Sequence, residues 1–307
     1  MSERAGAADA QDPEVDREVD PVLDPNDSAA RLLGLLELEE AGPDRYRVEN
    51  RDTGHGERVF GGQVAAQALR AAGNTVPDDR APHSVHCYFL RRGEADIPTI
   101  MRVERNRDGR AFSARTVIAQ QHGKAIFTAS ASFHVQEESP DWDGRPLAGD
   151  AGEPGPPGKL DRPQRLSAST VIFDTRGMYP PGPDEQGHMR PSRRFWARSP
   201  EPLPDDPVVH ACGLVYVSDM STGFSDTFID DLPPGGPSLD HAMWFHRPIR
   251  ADDWVYIDQE PVTASGARGL YRGYLHNTSG VLGATFVQET LLRPQGGFRH
   301  RVPATDA

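Results

Sequence analysis

Two kinds of hydrophobic pattern take turns along this chain. Apolar residues three and four positions apart mark amphipathic helix, and runs in which apolar and polar residues alternate mark half-buried strand. Leu32, Leu33, Leu35 and Leu36 follow a capping pair, Asp27-Ser28, and predict a short helix over 29–36. The stretch from Phe60 to Gly73 is rich in alanine with glycines at both ends, which predicts a central buried helix able to approach a sheet closely. Four strands are then predicted at 84–90, 97–106, 112–120 and 124–135. Arg107-Asp108-Gly109 and Gln121-His122-Gly123 supply turns, the second short enough for a tight hairpin.

From 137 to 165 the composition shifts to Pro, Gly and acidic residues, as in Gly152-Glu153-Pro154-Gly155-Pro156-Pro157-Gly158, and reads as a linker. Beyond it lie apolar segments at 171–173 and 194–198, a nearly all-apolar helix at 208–219, and strands at 242–247, 254–262, 269–276 and 281–293. The second half repeats the first. Asp108-Gly109-Arg110-Ala111-Phe112-Ser113-Ala114-Arg115 aligns with Ser265-Gly266-Ala267-Arg268-Gly269-Leu270-Tyr271-Arg272 at an offset of 157, and Gly123 aligns with Gly280 at the same offset. Phe89-Leu90-Arg91 meets Phe245-His246-Arg247 at 156. A buried helix along a curved antiparallel sheet, present twice, is an α+β double hotdog. Consecutive strands without alternating helices disfavour a doubly wound α/β sheet. The expected division is a tail at 1–27, one hotdog unit at 28–136, the linker at 137–165, a second unit at 166–295 carrying the site, and a tail at 296–307.

Composition narrows the function. The 307 residues carry a formal net charge of -13, which repels nucleic acid and anionic membrane surfaces, so neither is expected as a partner. Residues 1–27 contribute nine acidic side chains against Arg4 and Arg17, with few large apolar groups, and read as a disordered acidic tail. Cys87 and Cys212 each sit in an apolar run, as expected of buried thiols in a reducing compartment. The start resembles no signal peptide and no apolar stretch reaches 18 residues, so a cytoplasmic protein is expected.

The internal repeat also picks out polar residues that have apolar counterparts. In the run 124–135, Phe127, Ala129, Ala131 and Phe133 share the face expected to meet the helix. The 157 offset carries Ala131 onto Gln288, which places a buried amide that must find partners. Ser238 corresponds to Pro82 at the 156 offset, and Asp219 follows the apolar helix as the first carboxylate at its end. Each has a bland reading as a turn residue or a satisfied core amide. Their coincidence in one half is what a duplicated fold with a single retained site would show.

The chain resembles the acyl-CoA thioesterase II family from about Leu32 to Arg293. The resemblance rests on Val59-Phe60-Gly61-Gly62-Gln63-Val64, His83-Ser84-Val85-His86-Cys87-Tyr88-Phe89-Leu90, Asp240-His241-Ala242-Met243-Trp244-Phe245-His246-Arg247-Pro248 and Val287-Gln288-Glu289, besides the 108–115 stretch. It implies a double hotdog and hydrolysis of fatty acyl-CoA to free acid and CoA, with Asp219, Ser238 and Gln288 matching the residues that hold the attacking water. Bacterial members often carry Thr at the place of Ser238, which keeps the hydroxyl but lacks the restricting methyl. A homo-oligomer is implied as well. Oxyanion donors are expected from the helix start at Gly61-Gly62-Gln63, with the helix near Val208 as the alternative.

Other chemistries fit less well. No Gly-x-Ser-x-Gly elbow is present. His83 and His86, like His241 and His246, are an odd number apart and should leave a strand on opposite faces, so no metal is expected. Neither dinucleotide nor Walker glycine patterns occur, and no cofactor is expected. A hotdog hydratase would need an Asp and His pair, and the adjacent Asp240 and His241 should point apart. A noncatalytic acyl-CoA binding or sensing protein is the alternative from another class.

Overall fold

The computed structural model describes residues 31–50, 57–149, 151–154, 172–179, 193–224 and 236–293. The expected acidic tail, Asp27-Ser28, Val171 and the C-terminal tail lie outside them. The short helix, α1 (Leu32–Leu35), begins later than the leucine pattern predicts, and Arg31 precedes it without a side-chain cap. The central helix is α2 (Gly61–Gly73), and all but three of its residues are buried. The apolar helix of the second half is α3 (Pro207–Ser218), buried from Val208 to its end.

Among the described residues, twelve strands form one antiparallel sheet. In chain order they are β1 (Glu39–Glu40), β2 (Arg45–Val48), β3 (Arg80–Phe89), β4 (Thr99–Asp108), β5 (Phe112–Gln121), β6 (Lys124–Val135), β7 (Asp174–Tyr179), β8 (Arg193–Arg198), β9 (Asp240–Phe245), β10 (Val255–Ser265), β11 (Arg268–Asn277) and β12 (Leu282–Leu291). Across the sheet the order is β1-β2-β4-β5-β6-β3-β9-β12-β11-β10-β8-β7. The sequence halves therefore appear as mirrored halves of the sheet, joined where β3 pairs with β9 through Val85 opposite Met243 and Cys87 opposite His241. Each half has six strands rather than the four that alternation predicts, because β1, β2, β7 and β8 flank the repeated core.

The turns follow the sequence. His122 and Gly123 take φ of 49° and 71° between β5 and β6, the left-handed pair that a two-residue hairpin needs. The segment 137–154 has no regular element where described, yet it is fastened to the second half. Arg247 binds the Asp141 carboxylate at 2.6 Å, Arg145 meets Glu260 at 3.2 Å, and Trp196 Nε1 donates to Ala151 O at 3.2 Å.

The two long helices run antiparallel and touch through glycine. A methyl added at Gly62 would stand 2.6 Å from Tyr216 O, and one at Gly73 would stand 2.5 Å from Val208 Cγ1. Asp206 caps α3 through Val208 N–H at 2.8 Å and pairs with Arg70 in the last turn of α2 at 2.8 Å. The start of each helix is thus held against the end of the other. Replacing Gly62 with Ala is expected to lower stability by about 1–3 kcal/mol, because a backbone carbonyl must move to admit the methyl. Urea denaturation measures this, and a change under about 0.5 kcal/mol, the range of a neutral surface substitution, would show that the helices are not in such contact.

Candidate active site

The carboxylate at the end of α3 is placed against electrostatic preference. A helix C-terminus carries partial negative charge, and an acidic residue there costs about 0.3–1 kcal/mol. Asp219 nevertheless takes the C-cap position, with its backbone in helical conformation. Nothing in helix formation favours it, so its reason lies in what surrounds the side chain.

Three side chains converge there. Gln288, on β12, is 1% exposed, and its Nε2 donates to Asp219 Oδ1 at 2.7 Å and to Ser238 Oγ at 2.6 Å. Ser238 Oγ donates its own proton to Asp219 Oδ1 at 3.1 Å. Ser238 reaches this point because it bridges to Thr290 just ahead of β9, one pleat repeat from Gln288 along β12. Asp219 and Ser238 are each partly accessible, whereas Gln288 is sealed. Gln288 and Ser238, brought forward by the repeat, and Asp219, at the end of the apolar helix, therefore form one hydrogen-bonded cluster.

Both hydrogen bonds to Asp219 go to Oδ1, and Oδ2 points elsewhere. A methyl added at Gly61 would stand 2.5 Å from Oδ2 and 3.0 Å from the Phe89 ring, so the first turn of α2 lies directly across from the free edge of the carboxylate. The opening N–H groups of a helix have no partner within it and carry its positive partial charge. Gly61, Gly62 and Gln63 supply that turn. The start of α3, the other candidate, is at the far end of the helix pair, with a proline in its first turn and the Asp206 carboxylate on Val208 N–H. The carboxylate and the helix start thus face one another across the seam between the two halves.

The mirrored position in the first half lacks the carboxylate, the hydroxyl and the buried amide. Asn74 caps α2 where Asp219 caps α3. Pro82 pairs with Phe133 as Ser238 bridges to Thr290, and Ala131 stands where Gln288 stands. Arg115 fills the space beside it, fully buried and bonded to Thr75 Oγ1 at 2.7 Å, Thr75 O at 2.8 Å and Asp108 at 2.7 Å. Tyr271 stands opposite Gln288 as Arg115 stands opposite Ala131, although the repeat offset itself aligns Arg115 with Arg272. Alternation could not announce Arg115 as core, because a buried guanidinium reads as a surface residue until its five donors find partners.

Sequence reasoning also passed over His241. Asp240 and His241 do point apart, since Asp240 accepts Glu289 N–H at 2.9 Å and His241 turns inward, 1% exposed. Inside, however, His241 Nδ1 contacts Gln288 Oε1 and Nε2 lies 3.1 Å from Ser218 Oγ. The signal was available: His241 shares its face of β9 with Met243, which is wholly buried. Burial pushes its pKa down against the opposing pull of Asp219, the Gln288 hydrogen bond and Asp240. Burial and the same two carboxylates push the Tyr271 hydroxyl well up. Cys87 and Cys212 are buried and free, and both thiols are held up by desolvation first.

Comparison with known proteins follows the same division of the chain. Sequence profiles described as the acyl-CoA thioesterase N-terminal domain and C-terminal domain match residues 50–134 and 143–292. Acyl-coenzyme A thioesterase 8 of Rattus norvegicus is 35% identical over 292 residues, covering 85% of this chain and 88% of that protein. The crystal structure of an acyl-CoA thioesterase II, TesB2, from Mycobacterium marinum is 36% identical with a TM-score of 0.69, covering 86% of this chain and 98% of its own. A conserved protein with a hot dog fold from Alicyclobacillus acidocaldarius shares 17% identity and a TM-score of 0.69 over 85% of this chain and 97% of its own, a likeness of fold.

The buried histidines give the protein an acid-sensitive stability. His241 and His210, which are buried, and His83, which is half-buried, have pKa values lowered from 6.5, chiefly by loss of solvation. The unfolded chain therefore binds more protons than the native one once pH falls below about 6.5, and stability declines from there downward. The urea midpoint should be lower at pH 5.5 than at pH 7.5. An unchanged or higher midpoint at pH 5.5 would mean that these rings are already charged in the native protein.

Proposed function

The chain belongs to the acyl-CoA thioesterase II family and hydrolyses acyl-CoA thioesters, and on that premise we propose that Asp219, Ser238 and Gln288 hold the attacking water directly, without a covalent intermediate. The observation that carries this reading is the bonding of all three side chains to one another, with Asp219 Oδ2 turned toward the start of α2.

Thioester hydrolysis needs an oriented nucleophile, a base, and donors where negative charge develops on the carbonyl oxygen. The Asp219 carboxylate takes a proton from water as the water oxygen bonds to the thioester carbon. Gln288 and Ser238 restrict the carboxylate and the water to one arrangement, so little reorganisation is left for the reaction itself. The carbonyl oxygen gains charge as its double bond opens, and the first-turn N–H groups at Gly61, Gly62 and Gln63 are the donors assigned to it. When the carbon–sulfur bond breaks, the pair of electrons leaves with the CoA sulfur, which recovers the proton from Asp219. A thiolate is a good leaving group because its conjugate thiol has a pKa of only about 8.5. The products are CoA and a carboxylic acid, which ionises in water.

Three coarser assignments accompany this one. The substrate is a fatty acyl-CoA, for the apolar surroundings of α2 and α3 suit a hydrocarbon chain. The protein works as a homo-oligomer in the cytoplasm, supported by edge strands at β1 and β7 that pair on one side only among the described residues and by thiols left unpaired. The functional units span 28–136 and 166–295, with 137–165 as their connection.

Asp219→Asn keeps the shape of the cluster and removes the base. It is expected to reduce kcat for CoA thiol release by about 10²–10⁴-fold, with KM for the same acyl-CoA changed no more than a few-fold. Ser238→Ala should cost about 10-fold, since Gln288 still holds Oδ1. Release of thiol by Asp219→Asn at the wild-type rate would refute the assignment. Binding of acyl-CoA by the wild type without any thiol release would point instead to a noncatalytic binding protein.

A further inference from the structure

A glutamine side chain has nearly the same shape with its oxygen and nitrogen exchanged, so packing alone does not decide which end meets a partner. The orientation of Gln288 is decisive for the cluster, because only its NH2 end can donate to the Asp219 carboxylate. With the amide reversed, two oxygens would face each other and the cluster would repel itself. Asp219 disfavours that reversal but is partly accessible, and water can compete for it. The other end of the amide is sealed, and its one side-chain partner is His241 Nδ1.

We propose that His241 is a positioning residue that locks the Gln288 amide, its Nδ1–H donating to Oε1 so that Nε2 is committed to Asp219 and Ser238. The ring is itself fixed from two directions. It stacks on Phe286 with centroids 5.4 Å apart and planes 24° from parallel. At the opposite edge, Ser218 Oγ lies 3.1 Å from Nε2 and donates to Val215 O at 2.8 Å, so a proton on Nδ1 requires that hydroxyl to leave the carbonyl and turn to the ring. Ser218 is the last residue of α3, directly before Asp219. One chain of hydrogen bonds therefore leaves the helix end at Ser218, crosses His241 and Gln288, and returns to the carboxylate next in sequence. The position that mirrors His241 at the repeat offset is Val85, opposite Ala131, so the ring is present only where there is an amide to orient.

The inference rests on the reading of Asp219, Ser238 and Gln288 as the water-holding group, and two paired substitutions separate the two. His241→Asn places an amide nitrogen close to where Nδ1 stands and should keep kcat within about 5-fold of wild type, whereas His241→Gln reaches toward Ser218 and should lose about 10- to 100-fold in kcat with KM nearly constant. In a Gln288→Ala background, His241→Gln should cause no further loss, because the amide it orients is gone. His241→Gln at the wild-type rate beside a slow Gln288→Ala would overturn the role of His241 alone, as would losses that multiply in the double variant. Gln288→Ala at the wild-type rate would overturn the water-holding reading, and this inference with it. Should His241→Gln not fold, the nitrogen-15 resonances of His241 in the wild-type protein decide the matter. A proton on Nδ1 and none on Nε2 at pH 7.5 is the expected result, and the reverse tautomer would refute it.

Discussion

Gly62 lies against the carbonyl of Tyr216, and eleven residues further along α2 Gly73 lies against the side chain of Val208. Those two approaches set the spacing of an antiparallel helix pair, and the rest of the arrangement depends on that spacing. A helix pair separated by larger side chains would still cover the sheet. It would not bring the first turn of α2 within reach of the residue that ends α3. The dipoles reinforce the geometry, since each helix start lies beside the other's end and partial charges of opposite sign meet. At one end of the pair the meeting point is closed by Asp206, Pro207 and Arg70. At the other end, Asp219 faces Gly61 with one carboxylate oxygen uncommitted.

The duplication accounts for the two ends of the helix pair differing. A sheet built from two copies offers two equivalent places where a helix start meets a helix end. In the first half Asn74 stands in place of the carboxylate, Pro82, Ala131 and Val85 are apolar, and Arg115 fills the interior with its own hydrogen bonds. In the second half Asp219, Ser238, Gln288 and His241 occupy the corresponding places. A buried polar group without partners costs about 1–3 kcal/mol, so a polar network of this kind persists as a complete set. Removing one member would leave the others unsatisfied.

Much of this was legible in the sequence, for identifiable reasons. Strand β6 runs over the same residues, Lys124 to Val135, that alternation marks out. Helices α2 and α3 were visible as an alanine-rich and an apolar run, and the repeat offset brought Gln288 and Ser238 forward because their counterparts are Ala131 and Pro82. Strands β1, β2 and β7 were not, since short or charged edge strands such as Glu39–Glu40 bury too little to show a period. Spacing along the chain pairs His241 with Asp240 or His246, both close in sequence, and not with Gln288, which is 47 residues distant and reaches it through the pairing of β9 with β12. Local spacing carries no trace of such a contact.

The central claim is that a water held by Asp219 attacks the thioester carbon itself. A single turnover in oxygen-18 water, with enzyme in excess over acyl-CoA and the acid analysed by mass spectrometry, tests it most directly. Direct attack predicts one heavy oxygen in every molecule of acid formed. Acid that leaves the first turnover unlabelled, with the heavy oxygen retained in the Asp219 carboxylate, would mean that the side chain had attacked as nucleophile and would contradict the account.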